Sequence, residues 1–334
     1  MGRKLQVAVS RRWISFPLVL GLIWGFWAAV MTAGGWWPLY QTRWPMALTM
    51  VFGSFVAGST PAGGGAVAFP VFTKLLAVPS ADAALFGLMI QAVGMSMAAL
   101  FILTRRIEIN VRVWKAAVTG AVPGVMFGLA WIQLPDNVPR LTFSGLLLVF
   151  AITLYRSHWK RKHQPESDIA HWTGRDRWRF ILTGFVGGMV ASQLGSGADM
   201  LCFMVMTLGY GLSERIAVPT SVVIMATVSV AGFAFRLLLP QPIGVVWEYW
   251  AVAAPVVAVG APLGAWVASR IHNDSILILV FLLVVAEVIS TSLLVPMSGP
   301  RLAVVAGVAV VATVWFRMLR RMRERRVAET SFRE

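Results

Sequence analysis

The 334-residue sequence predicts an all-α polytopic membrane protein built from inverted-topology repeats, each a broken, re-entrant helical hairpin followed by three spanning helices. Three observations lead there. The chain is 58% hydrophobic and only 13% charged; its apolar runs of bilayer-crossing length alternate with basic loops; and a glycine-rich interruption of an apolar run occurs twice. Soluble domains carry about a quarter charged residues, so composition sets this chain apart from them, and its mean hydropathy of +0.74 agrees. A net charge of +15 would ordinarily suggest nucleic acid. Here the Lys and Arg residues sit between apolar runs, as orientation in a membrane requires, so nucleic acid is not an expected partner.

The first helix is expected at 15–35, after Arg3, Lys4, Arg11 and Arg12. Its length, Trp24 and Trp27, and the lack of a small-x-small site after it favour an uncleaved helix over a removed signal peptide. The runs at 81–103, 113–132, 140–157, 213–239, 247–269, 275–296 and 301–317 are also long enough to span, which takes about 20 residues. Regions 45–77 and 179–210 differ, because SFVAGSTPAGGGAVAF and VASQLGSGAD interrupt them. The resulting pieces, such as 45–58 and 66–77, give about 18–21 Å of helix, short of a hydrocarbon core of roughly 30 Å. Each region is therefore expected to enter and leave on one side.

That assignment leaves only Arg43, Lys74, Arg140, Arg236 and Arg301, of 29 Lys and Arg, on one face. The basic-rich face is then cytoplasmic and holds both termini, in a bacterial-type inner membrane. Letting either broken region cross fully would weaken this bias. Trp36, Trp37, Trp44, Trp131, Trp247 and Trp250 fall at predicted outer ends, and Trp13, Trp114 and Trp315 at inner ones. The breaks also align: FVAG at 55–58 with FVGG at 185–188, AGGGA at 62–66 with LGSGA at 194–198, and Asp82 with Glu214. The expected organisation is an N-terminal helix (1–44), a first repeat (45–157), a basic cytoplasmic loop (158–178), a second repeat (179–296), and a last helix with a basic tail (297–334). Inverted repeats with broken helices characterise secondary transporters, which bind substrate where the breaks meet.

After each break a half-helix is expected to begin, near Gly65 and near Ala198. Irregular backbone at membrane depth must be satisfied by protein or a water-filled cavity. Two helix N-termini aimed at one region present free N–H groups and positive dipole ends, which favour an anion. The substrate-binding candidates are Gly63, Gly64, Gly65, Gly195 and Gly197 for backbone approach, and Ser59, Thr60, Ser192, Gln193 and Ser196 beside them. Thr220 and Ser221, next to Pro219 in VPTSVV, and Gln91 in the corresponding helix complete the set. Small hydroxyl residues also pack helix against helix, so each has that alternative role.

Asp199 and Glu287 are the proton-coupling candidates, since carboxylates inside membranes are rare and usually functional. Asp199 is also placed to pair with a helix dipole, and Glu287 to pair across helices. Lys74 and Arg236 are expected to snorkel at outer ends. His158, His163 and His171, with Glu166 and Asp168, fit no zinc spacing and are expected in a solvated loop. The single cysteine, Cys202, excludes an internal disulfide and a thiolate cage from this chain. No nucleophile–base pair or metal cluster is recognisable, so neither an enzyme nor a cofactor or metal is expected. The tail FRMLRRMRERR is expected to hold anionic lipid headgroups, and a homodimer is left open.

The stretch GSFVAGSTPAGGGAVAFPVF, followed in the second half by GFVGGMVASQLGSGADM and AVPTSVVIM, resembles the TauE/SafE family of sulfite exporters over roughly residues 45–296. The first hairpin, with its GGG and trailing Pro70, carries the most specific part of the likeness. The resemblance implies a secondary, proton-linked transporter of sulfite, sulfoacetate or related sulfonates. Where the family commonly repeats GxGGG with a later Pro, this chain has GSGAD and then MLCFMVM, setting an acid beside one of two anion contacts. The expected function is a secondary transporter of a small anion, sulfite or an organosulfonate. An organic-carboxylate carrier and an anion channel are the alternatives.

Overall fold

The computed structural model describes residues 15–158, 166–169, 172–270, 273–294 and 299–331. These residues form twelve α-helices, and the sole strand-like feature among them is a bridge between Glu166 and Leu212. Helix α1 (Ser15–Ala33) stands before two successive runs of helices. The first run is α2 (Leu39–Ser59), α3 (Gly65–Pro70), α4 (Ser80–Thr104), α5 (Val111–Trp131) and α6 (Asn137–His158). The second is α7 (Gly174–Leu194), α8 (Ala198–Met204), α9 (Glu214–Leu238), α10 (Val246–Ala268) and α11 (Asn273–Leu294), and α12 (Gly299–Ser331) follows. Helices α1, α4, α5, α9 and α10 are long and apolar enough to cross a membrane.

Local chemistry sets the ends. Asn110 accepts a hydrogen bond from Val113 N at 3.1 Å and so caps α5. Thr173 and Asp176 form a reciprocal capping box that starts α7. Helices α3 and α8 each widen into a π-helical turn, Val71–Leu75 and Val205–Gly209. The same bonds then close both: Leu76 N to Val71 O and Val78 N to Phe72 O in one, Tyr210 N to Val205 O and Leu212 N to Met206 O in the other. A left-handed residue, Ala77 or Gly211, stands within each closure.

The two runs interlock through small residues. Helix α2 packs on α10, and α7 packs on α5. A side chain at Gly58 or Gly264 would collide with the carbonyl of Ala261 or Phe55 across the α2–α10 contact. At the α5–α7 contact, Gly120, Gly124, Gly184 and Gly188 meet the carbonyls of Ile181, Phe185, Ala117 and Ala121 in the same way. Small residues spaced by four thus let backbones touch where lipid gives no hydrophobic drive for association. Helices α4 and α9 pack together at the centre, and Trp24 and Trp27 donate to Pro255 O and Ala251 O to hold α1 on α10.

Several expectations need correction. The first limbs of the broken regions are longer than the expected pieces, because LYQTRW and GRDRWRF continue the helices backward to Leu39 and Gly174. The last helix runs through the basic tail to Ser331, and Leu319 and Met322 pack against Gly209. Glu166 and Asp168 are exposed, as expected of a solvated loop, yet the segment is also docked: Ser213 N donates to Glu166 O at 2.9 Å, Asn110 Nδ2 to Asp168 Oδ1 at 2.8 Å, and Ile169 is buried. His163, His171 and the basic residues of 1–14 lie outside the described residues.

Candidate functional site where the two helix breaks meet

The first break starts where α2 ends. Thr60 turns to an extended conformation, its N–H and hydroxyl both bonded to Val56 O at 2.9 Å. Ala62 N donates to Thr60 Oγ1 at 3.2 Å. Gly63 then takes φ +67°, a left-handed geometry that costs an L side chain about 1–2 kcal/mol, and α3 begins at Gly65. The second break repeats the device: Gly195 takes φ +72° at the end of α7, and α8 begins at Ala198. Both half-helices start where the glycine pattern indicated.

The breaks touch. A methyl group at Gly65 would lie 2.8 Å from Ser196 Cβ, and Ser196 Oγ reaches Ala62 O at 3.3 Å. A methyl group at Gly63 would stand among three oxygens: Ser196 Oγ at 2.7 Å, Asp199 Oδ2 at 2.8 Å and Gln91 Oε1 at 3.3 Å. Gln91 Nε2 donates to Gly195 O at 2.5 Å, binding α4 to the second break. Gly87, one helical turn before Gln91, is the contact that sequence reasoning missed, and its absent side chain lets Gly195 approach. Its signal was present, as a glycine four residues before a lone glutamine marks one face of α4.

Asp199 is 0% exposed. Its Oδ1 accepts from Gly197 N at 3.0 Å and Met200 N at 2.9 Å, and Ser196 Oγ lies 3.3 Å away. The carboxylate therefore satisfies the N–H groups that start α8. No ion pair reaches it among the described residues.

The structure thus gathers Gly63, Gly65, Gln91, Gly195, Ser196, Gly197 and Asp199 at one buried point; Thr60 at the end of α2 bonds into the first break through Ala62 N, while Ser59 bonds Val56 O and packs on Gly264 of α10. Other candidates lie elsewhere. Gly64 packs on Gly53 and Ala57 of α2. Gln193 Nε2 donates to Gly128 O and Ile132 O, where it caps the end of α5, and Ser192 bonds Met189 O. Thr220 bonds Ile216 O and accepts from Asn110 N, while Ser221 bonds Val218 O. All of these serve packing or capping in this conformation.

Lys74 is not the snorkelling residue expected. Its side chain is 3% exposed and its Nζ lies 2.5 Å from Glu287 Oε1. Thr291 Oγ1 and Ser290 Oγ accept from the same ammonium at 2.6 and 3.1 Å, and Ser144 Oγ donates to Glu287 Oε1 at 2.5 Å. Glu287 thus takes the cross-helix pairing that was one of its two expected roles, tying the π-helical turn after α3 to α6 and α11. Arg236 is half-buried and bonds the carbonyls of Gln241 and Pro242.

No group of three or more metal-binding side chains of the His, Cys, Asp and Glu type occurs among the described residues. Comparison with curated proteins and with solved structures returned no match. Residues 46–291, from α2 through α11 and so including both breaks, match the family Sulfite exporter TauE/SafE. Members of that family are transporters rather than enzymes, and the match implies a multi-pass membrane protein that exports sulfite or a related small anion. The chain belongs to the sulfite exporter TauE/SafE family.

Proposed function

We propose that the point where the two breaks meet binds a small anion, sulfite or an organosulfonate such as sulfoacetate, and that the protein carries it across the inner membrane as a secondary transporter. The observation that carries this reading is the contact of Gly63 and Gly65 with Ser196. Unwound backbone from two separate halves adjoins one buried locus, the arrangement that lets a single site serve both sides of a membrane. Glycines at 63–65 leave the N–H groups at the start of α3 free of side-chain cover.

The halves contribute unequally. At α8 the amide groups already hold Asp199, so the anion contact falls on α3. Asp199 and an anion near it repel one another, so binding requires that the carboxylate be neutralised, in the simplest form by a proton. That requirement ties anion movement to a cation gradient. The charge distribution supports cytoplasmic termini and inverted halves, and anionic headgroups at the basic segments and a homodimer complete the proposed partners.

Proteoliposome flux tests the reading. Wild-type protein should move sulfite or sulfoacetate in a saturable manner that follows an imposed cation gradient. Ser196→Leu should abolish flux with folding intact, because the added bulk enters the contact with Gly65. Normal flux in that variant would remove the breaks from the transport path. Flux that persists without saturation in Asp199→Asn would assign a channel instead.

A further inference from the structure

We infer that the groove between α1, α4 and α10 is a site for one anionic phospholipid, its phosphate among Arg105, Arg106 and Arg270 and one acyl chain laid along α10. The inference does not depend on the transport reading, only on the chain spanning a membrane. Two adjoining cavities carry it. The first, about 710 Å³, lies where the start of α1 meets the ends of α4 and α10, with Phe16, Phe101, Trp266, Arg105 and Arg106 among its walls. The second, about 1010 Å³, continues inward to Trp24, Phe52 and Val67. Val259 and Leu263 of α10 line both, so the two form one groove.

The groove exists because α1 is clamped at its middle. Trp24 and Trp27 donate to carbonyls of α10 at 3.2 and 2.6 Å, whereas the first turn of α1 approaches α4 through the edge-on pair Phe16 and Phe101, ring centroids 6.5 Å apart. Phe52, Val259 and Leu263 are exposed, so the groove opens on the outer surface of the bundle, where lipid lies. From Pro255 to Trp266 it follows about 16 Å of α10, close to one leaflet's half of a hydrocarbon core of roughly 30 Å. That length, with the apolar lining of the inner cavity, matches an acyl chain.

The mouth selects the headgroup. The guanidinium of Arg105 stacks on Phe101 at 5.6 Å and that of Arg270 on Trp266 at 4.7 Å, measured to the ring centroids. Both rings are walls of the groove, so stacking holds two cations at its rim. Arg106 is the third. It closes α4 with φ +55°, a left-handed position ordinarily filled by glycine. An arginine there sets a guanidinium on the rim in spite of the backbone strain. No acidic residue lines the groove among the described residues. Guanidinium groups bind phosphate through paired N–H donors, and basic pockets between membrane helices hold anionic headgroups. A zwitterionic headgroup would instead add its own cation to three others. The inner end of the groove touches Val56 and Val67, which stand on either side of the first break, so the acyl chain backs that break from the lipid side.

Native mass spectrometry of the delipidated, detergent-purified full-length protein tests this, with phosphatidylglycerol and phosphatidylcholine added in turn. Wild type should hold one phosphatidylglycerol per chain and bind phosphatidylcholine about tenfold more weakly. Arg106→Gly should weaken phosphatidylglycerol binding by roughly fivefold, the factor one basic residue supplies near a membrane surface. Its lipid-free Tm should match wild type or exceed it, since glycine suits the left-handed turn. Arg320→Gln removes a charge of the same sign from the exposed tail and should leave binding unchanged. Leu263→Trp fills the junction of the two cavities and should block the site. Should Arg106→Gly not purify as a monodisperse species, Arg270→Gln carries the same test. Equal binding of the two lipids overturns the inference. So does an equal loss in Arg106→Gly and Arg320→Gln, which would assign a diffuse attraction to the basic surface. Wild-type binding by Leu263→Trp would remove the acyl chain from the groove and overturn it as well.

Discussion

Asp199 and Glu287 are both buried acids in an apolar helical protein, and they are held in opposite ways. Glu287 meets an ammonium: Lys74 Nζ is 2.5 Å away, and Ser144 and Thr291 complete its shell. Asp199 meets backbone N–H groups and Ser196, with no cationic side chain paired to it among the described residues. A buried charge with a built-in partner is internally neutral and serves to fasten elements together. A buried charge supported only by dipoles is sensitive to any cation that arrives. In the proposed function that difference separates a fastening from a coupling site, although both are buried carboxylates.

Breaking the fastening should have the largest effect on stability. Glu287→Leu leaves Lys74 buried and uncompensated and should cost about 3–5 kcal/mol, measured by thermal or denaturant unfolding in detergent. The double variant Lys74→Met with Glu287→Leu should recover most of that loss, since an apolar pair replaces the ionic one. Gly63→Ala comes next, at about 1–2 kcal/mol from its left-handed backbone alone, and its methyl group would also press on Ser196 Oγ and Asp199 Oδ2, which denaturant unfolding in detergent should register as a further loss. Gln193→Leu should cost about 0.5–1.5 kcal/mol through the lost cap on α5. The smallest effect on stability is expected from Asp199→Asn, within about 1 kcal/mol, because an amide oxygen still accepts from Gly197 and Met200. Its gradient-driven anion uptake should nevertheless fall to background. If Asp199→Asn instead unfolds the protein as readily as Glu287→Leu, the contrast between the two acids disappears.

The sequence revealed the parts of this arrangement that depend on local chemistry. Glycines at 63–65 and at 195 and 197 end one helix and permit the next, so the starts at Gly65 and Ala198 could be read from the pattern. The limb lengths could not, because polar stretches such as GRDRWRF form helix once Thr173 caps them, and apolarity does not register that. Ser192, Gln193 and Thr220 had the right chemistry near the breaks, but they are turned by helical phase toward α5 and Asn110. The Lys74–Glu287 pair joins residues remote in sequence, and only the lone occurrence of each charge within an apolar run hinted at it. The spacing of Gly120, Gly124, Gly184 and Gly188 was a readable sign that α5 packs on α7, one that a search for ligands passes over.

The central claim is that the two breaks adjoin within the folded protein, and cross-linking tests it most directly. In a Cys202→Ser background, Gly65→Cys and Ser196→Cys introduce the only two thiols, at positions whose Cβ atoms would lie 2.8 Å apart. A small backbone adjustment brings that pair into the disulfide range of about 3.5–4.5 Å. Mild oxidation of the purified monodisperse protein should consume both thiols within one chain, leaving fragments cut in the 158–172 segment joined until reduction. Two free thiols that persist in the folded protein under the same oxidation, with fragments that separate without reductant, would contradict the account.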